Sequence, residues 1–201
     1  IGLLIELADN YSQIDSNNLA GQYYREAIAL ATEANHLRFR AIALDELGTL
    51  VRRTGLYDQS LEYHLQALEL AENLEDKKLL ASIYNHIGVV YRRKAEDNLA
   101  LNYHLSALRA GEEINDARII SYASNSIGII YTYQKNYTEA LGYFYRALHL
   151  AEQRENPTGI AINLNCIAWV HELQENYDTA IEYYERSLGV NEKAANLEGM
   201  A

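Results

Sequence analysis

An all-α chain of stacked antiparallel helix pairs, an α-solenoid, is what this sequence predicts, and three observations carry the prediction. The apolar pattern returns every 40 residues: Ile87-Gly88…Tyr91 becomes Ile127-Gly128…Tyr131, and Ala100-Leu101…Tyr103…Ala107-Leu108 becomes Ala140-Leu141…Tyr143…Ala147-Leu148. A fixed period of about 20–50 residues is the mark of a repeat array. Within each period, apolar residues recur at helical spacing on both sides of a short polar break, which in Ser121–Arg154 is Gln134-Lys135-Asn136-Tyr137. Pro157 is the only proline. An almost uninterrupted helical chain requires such scarcity, because proline removes a backbone donor and clashes inside a helix.

Five repeats follow, at approximately 1–40, 41–80, 81–120, 121–160 and 161–200, and position n of one repeat recurs at n+40 in the next. Each is expected to hold a first helix near positions 1–14 and a second near 18–34. In the first helix, position 8 is small throughout (Ala8, Gly48, Gly88, Gly128, Ala168), letting two backbones approach. Positions 7 (Leu7, Leu47, Ile87, Ile127, Ile167) and 11 (Tyr11, Val51, Tyr91, Tyr131, His171) supply large knobs one turn apart. In the second helix, positions 20 and 27 are small, and position 23 is Tyr23, Tyr63, Tyr103, Tyr143 and Tyr183. Large and small positions alternate as an interlocking core requires.

The helix ends are also marked. Position 18 (Asn18, Asp58, Asn98, Thr138, Asp178) is expected to cap the second helix. Position 36 (His36, Asp76, Asp116, Asn156, Asn196) is expected to cap the next first helix in four cases of five, with the residues from Asn196 opening a sixth. Gly55 falls in the turn within repeat 2, where freedom to take positive φ helps; repeat 3 has Ala95-Glu96-Asp97 there at unchanged length. No linker separates the repeats, so one domain over 1–201 is expected. The chain starts at Ile1 rather than Met and is read as a fragment of a longer protein.

Positions 4, 7, 8 and 11 of the first helix with 20, 24 and 27 of the second resemble the tetratricopeptide repeat, five times over. The period is longer than the common ~34 residues, and the proline usual near the end of the unit is missing. The longer form is similar to repeats of Pins-type mitotic adaptors, kinesin light chain and the sensory regions of bacterial signalling proteins. This resemblance implies a right-handed superhelix with the first helices lining an inner groove. The family's carboxylate clamp is absent, because position 5 is Ile5, Asp45 or Asn and position 6 is Glu6, Glu46, His86, Ser126 and Cys166.

Composition narrows the function. Apolar content of 49% against 22% charged residues belongs to an ordered globular chain. The net charge of −11 opposes a chain-wide nucleic-acid surface, which depends on cationic neutralisation of phosphates. No apolar run is long enough to cross a membrane. One cysteine, Cys166, excludes an intramolecular disulfide framework. The expected compartment is the cytoplasm, with the periplasm as the alternative. No glycine-rich phosphate loop or nucleophile elbow occurs, and His171-Glu172 continues as Leu-Gln-Glu and fails the zinc-protease pattern. No enzymatic activity, cofactor or metal is therefore expected. His64 and His104 share position 24 with Tyr24, Phe144 and Tyr184 and read as packing residues, and Cys166 reads as a buried thiol.

The informative residues lie on another stripe of the first helix, at positions 5, 9, 12 and 13. Position 5 holds Asp45, Asn85, Asn125 and Asn165. A column of amides offers donors and acceptors to the backbone of an extended peptide; equally, it can tie neighbouring helices together. Both readings stand open. Arg52, Arg53, Arg92 and Arg93 make a basic patch suited to carboxylates, unless they pair with nearby acidic residues. Further along, Ile129, Tyr133 and Trp169, with Leu173, make the stripe apolar, either as an anchor pocket or as cover for the last repeat. The expected function is a protein- or peptide-binding module whose ligand has acidic and apolar portions. The alternative is the sensory region of a larger bacterial signal-transduction protein, whose partner is its own output domain.

Overall fold

The computed structural model describes residues 1–198. Among them the chain is all-α, with ten helices in order: α1 (Gly2–Gln13), α2 (Asn17–Glu33), α3 (Leu37–Arg53), α4 (Tyr57–Asn73), α5 (Lys77–Arg93), α6 (Asp97–Glu113), α7 (Ala117–Tyr133), α8 (Tyr137–Gln153), α9 (Pro157–Leu173) and α10 (Tyr177–Glu198). Two compact units form, one spanning Ile1–Ala110 and one beginning at Gly111. In the first, each helix from α1 to α5 packs on the next, and the first helices α1, α3 and α5 also touch in succession. In the second, α7 to α10 pack in the same way and α7 touches α9. No described helix is long and apolar enough to cross a membrane.

The connectors explain the regularity. Each leaves three residues between helices, the middle one in left-handed conformation: Asp15, Asn35, Gly55, Glu75, Ala95, Asn115, Lys135, Glu155 and Glu175. The backbone N–H of the next residue reaches back five places, as His36 does to Ala31 at 2.7 Å and Asn136 to Tyr131 at 2.9 Å. The left-handed residue reaches back three, as Asn35 does to Thr32. This is the Schellman arrangement, which satisfies carbonyls orphaned at a helix end. Its last residue then serves as N-cap of the following helix, so one short turn both closes and opens a helix.

Position 36 is the N-cap of α3, α5, α7 and α9, and it caps through its side chain at Asp76 and Asp116 but not at His36 or Asn156. Asp76 accepts from Leu79 N–H, and Asp116 from Arg118 and Ile119 N–H. The first helices consequently begin at position 37, four residues earlier than the apolar pattern suggests. Position 18 is not the cap. The N-cap position of the second helices is 16, as at Ser16, Leu56 and Asn136, none of which makes a side-chain cap, and this places Asn18, Asp58 and Thr138 inside the first turn. There Asp58 complements the helix dipole. No turn forms near Asn196 either, because α10 runs on to Glu198, as the helix-favouring Ala194-Ala195 pair allows. The rest of the sixth first helix lies outside the described residues.

The core repeats one lock. The ring at position 24 lies against the backbone of position 8: a Cβ on Gly48, Gly88 or Gly128 would approach His64, His104 or Phe144 to 2.8, 2.7 or 2.6 Å. Beside it, position 11 stacks on position 23: Tyr11 on Tyr23, Tyr91 on Tyr103, Tyr131 on Tyr143 and His171 on Tyr183, with centroids 5.4–5.8 Å apart. The small residues Ala27, Ala67, Ala107 and Ala147 at position 27 are fully buried.

Gly128→Ala is expected to destabilise the protein by about 1–3 kcal/mol through overpacking against Phe144. Gly142→Ala, in the same repeat but facing open space, should instead stabilise by roughly 1 kcal/mol through helix propensity. Urea denaturation of both variants checks the pair. Ala95→Gly should raise the melting temperature, relieving up to about 1 kcal/mol of left-handed strain; an unchanged or lower value would contradict that account.

Candidate binding faces

In the first unit, position 5 is committed to tertiary structure. Asp45 on α3 is 3% exposed. Its Oδ1 lies 2.7 Å from His64 Nδ1 on α4, and its Oδ2 2.8 Å from His86 Nδ1 on α5. Burial pushes the Asp45 carboxyl up, but the charge of His86 and hydrogen bonds from both imidazoles outweigh burial and hold it well below the usual range. His86 is raised, its burial outweighed by Asp45, whereas burial keeps His64 lowered. In the next repeat Asn85 Oδ1 lies 2.9 Å from His104 Nδ1. Burial pushes His104 down to about 3.

The arginines lie at the ends of α3 and α5. Arg53 and Arg93, at position 13, are exposed; Arg52 and Arg92, at position 12, are half-buried. Arg53 donates to Ser12 Oγ at 3.0 Å rather than to a carboxylate. Arg52 has its Nε buried without a hydrogen-bond partner. Its pKa is lowered by burial and then by Arg93, Arg53 and Arg92. Lys94, by contrast, pairs with Asp58 and Glu96 at 2.8 and 3.3 Å.

In the second unit the stripe is apolar. Tyr133 on α7 is 61% exposed and meets Trp169 on α9 edge-on, centroids 5.5 Å apart. Ile129 is half-buried one turn earlier, and Leu173 is exposed beyond Trp169. The stripe also takes in Tyr122 and Ile162 at position 2, both exposed. Sequence reasoning passed over these two, although position 2 stands one helical turn before position 5. Asn125 donates to Asn163 Oδ1 at 2.9 Å and to Cys166 Sγ at 3.5 Å, and burial raises the Cys166 thiol. Asn165 is exposed and has no hydrogen-bond partner among the described residues. Within the amide column, then, Asp45, Asn85 and Asn125 have partners in the protein and Asn165 does not.

The burial of His104 sets an acid sensitivity. Its folded pKa is depressed, so below pH ~6.5 the unfolded chain takes up a proton that the folded chain refuses until about 3. Stability is lost across that window as pH falls, by about 2 kcal/mol at pH 5. His104→Phe, which introduces the ring that Phe144 holds at this position one repeat later, should flatten the acid limb of melting temperature against pH; an unaltered limb would refute the assignment.

The comparisons with known proteins agree with this architecture. Crystal structures of the same fold include BtubC from P. vanneervenii, at 18% identity and TM-score 0.79, covering 94% of this chain and 78% of that one. A Rap protein complexed with competence and sporulation factor matches at 19% identity and TM-score 0.74, covering 96% and 64%. A signal-transduction ATPase with numerous domains and a tetratricopeptide repeat sensor, from Pyrococcus horikoshii, matches at 20% identity and TM-score 0.82, covering 97% and 30%. A comparison with curated protein sequences finds no match. The tetratricopeptide repeat family model matches residues 39–113 and 119–193, and the chain belongs to the tetratricopeptide repeat family.

Proposed function

We propose that this chain is a non-catalytic module that binds a protein or peptide through the exposed faces of its first helices. The observation that carries the reading is the arginine cluster on an acidic chain. Arg93, Arg53 and Arg92 all act on half-buried Arg52 and lower its proton affinity, and Arg53 donates to Ser12. Like charges held together cost stability, and an acidic ligand segment relieves that cost. Arg92 belongs to the same patch. In the second unit, Tyr133, Trp169 and Ile129 form an aromatic anchor of the kind that dominates binding energy. Asn165 offers its amide to a ligand backbone; Asn85 and Asn125 each keep one amide group uncommitted, and Asp45 ties together the helices beneath the basic face.

The test begins with a partner recovered from native lysate by the wild-type chain. Its affinity is then measured for Arg53→Glu/Arg93→Glu and for Tyr133→Ala/Trp169→Ala, after circular dichroism shows both variants folded. Each pair should weaken binding by about 10-fold or more. Unchanged affinity in both would overturn the reading.

A second reading is favoured by the tetratricopeptide repeat sensor in the similar signal-transduction ATPase. In it, the chain is the regulatory region of a larger signalling protein, such as a histidine kinase, nucleotide cyclase or transcription regulator, and the ligand is that protein's own output domain. A full-length reading frame without a catalytic or DNA-binding domain would remove it.

A further inference from the structure

The cluster of Asp45, His64 and His86 sits beneath the proposed binding face and is not explained by it. Three helices, α3, α4 and α5, each contribute one side chain, and the donor atoms all lie within 4.8 Å of one another. We propose that these three residues form a binding site for a divalent transition metal ion of the zinc class.

Geometry supplies the first argument. Zinc holds nitrogen and oxygen ligands at ~2.0–2.2 Å in a tetrahedron, so its ligand atoms stand ~3.3 Å apart. His64 Nδ1 and His86 Nδ1 lie 2.7 and 2.8 Å from the Asp45 oxygens. An ion therefore enters if these pairs open by about half an ångström and the two Nδ1 atoms, within 4.8 Å of one another, close toward that spacing; His86 releases its Nδ1 proton to solvent, and neutral His64 shifts its proton from Nδ1 to Nε2, so that both Nδ1 lone pairs turn to the metal. Two imidazoles and one carboxylate suit Zn2+, Co2+ and Ni2+. Three protein ligands also leave a fourth position for water. His86, with 27% of its side chain exposed, provides the way in.

The array supplies the second argument. At the matching place one repeat later, Asn85 meets His104 through a neutral amide, and Ser126 stands where His86 stands here. An amide thus suffices where one imidazole is present. Asp45 instead carries a buried charge held between two imidazoles, and a metal ion can take the place of the proton that they share with it. Glu46, half-buried and adjacent in sequence, acts electrostatically on both Asp45 and His86.

The surroundings of His64 limit the affinity. Its distal nitrogen, Nε2, is buried without a partner, so no second residue orients that imidazole. Missing support of this kind weakens metal sites about 10–100-fold, and the site should bind in the micromolar range rather than more tightly.

The test uses chelator-stripped protein titrated with Co2+ and with Zn2+, followed by visible absorption, calorimetry and melting temperature. Wild type should take one ion per chain, develop four-coordinate Co2+ absorption bands and melt at a higher temperature with Zn2+. Asp45→Asn and His86→Gln should each weaken binding at least about 10-fold, while exposed His149→Gln should bind as wild type does. Asp45→Asn places here the side chain that Asn85 already carries in the next repeat, so its fold is expected to survive, and circular dichroism verifies this. No binding by wild type at about 100 μM ion, or binding unchanged in both Asp45→Asn and His86→Gln, would overturn the proposal.

Discussion

The helix pairs depend on a close approach between a ring and a bare backbone. In the three central repeats a glycine at position 8 lies under the ring of His64, His104 or Phe144, with no room for even one carbon on the glycine. The repeats that carry alanine at position 8 place Tyr24 and Tyr184 at position 24. That contact sets how near the first helix lies to the second. The separation in turn lets position 11 stack on position 23, and buries the small residues at position 27. Close packing transmits such a constraint, because an interior at crystal-like density has no slack to absorb a shifted helix.

The same framework explains why polar groups are buried here at all. A histidine at position 24 satisfies the packing demand but brings nitrogens that need partners. Position 5 of the same repeat supplies one, as Asp45 for His64 and Asn85 for His104. In repeat 4, where Phe144 makes no such demand, Asn125 turns to Asn163 and Cys166 of the next first helix. Position 5 is therefore a joint whose partner changes with the ring beside it. At the ends of α3 and α5 the balance differs, since Arg93, Arg53 and Arg92 all act on half-buried Arg52.

Much of this was legible in the residues. The 40-residue spacing of Gly48, Gly88 and Gly128 and the unbroken column of tyrosines at position 23 identified the repeat, the helix pairs and the core positions. The caps at Asp76 and Asp116 were readable because a capping side chain acts within three residues of itself. The second-helix cap was misplaced by two positions, since the polar residues at 18 suit a helix start, whereas the backbone turn sets it at 16 even where Leu56 stands there. Tyr122 and Ile162 went unnoticed because an exposed apolar residue looks like a core residue until burial is known.

What the sequence by itself determined was periodicity, helix content and chemistry by position. These are consequences of interactions between residues three to five apart, or of one motif repeated. What only the tertiary structure decided was which side chains meet. Asp45 finds His64 nineteen residues later and His86 forty-one later. Those pairings follow from the stagger of three helices, and a shift of one turn, about 5.4 Å, would exchange every partner. Hydrogen bonds act over less than that distance, so the identity of the site waits on the packing, whereas the identity of the fold does not.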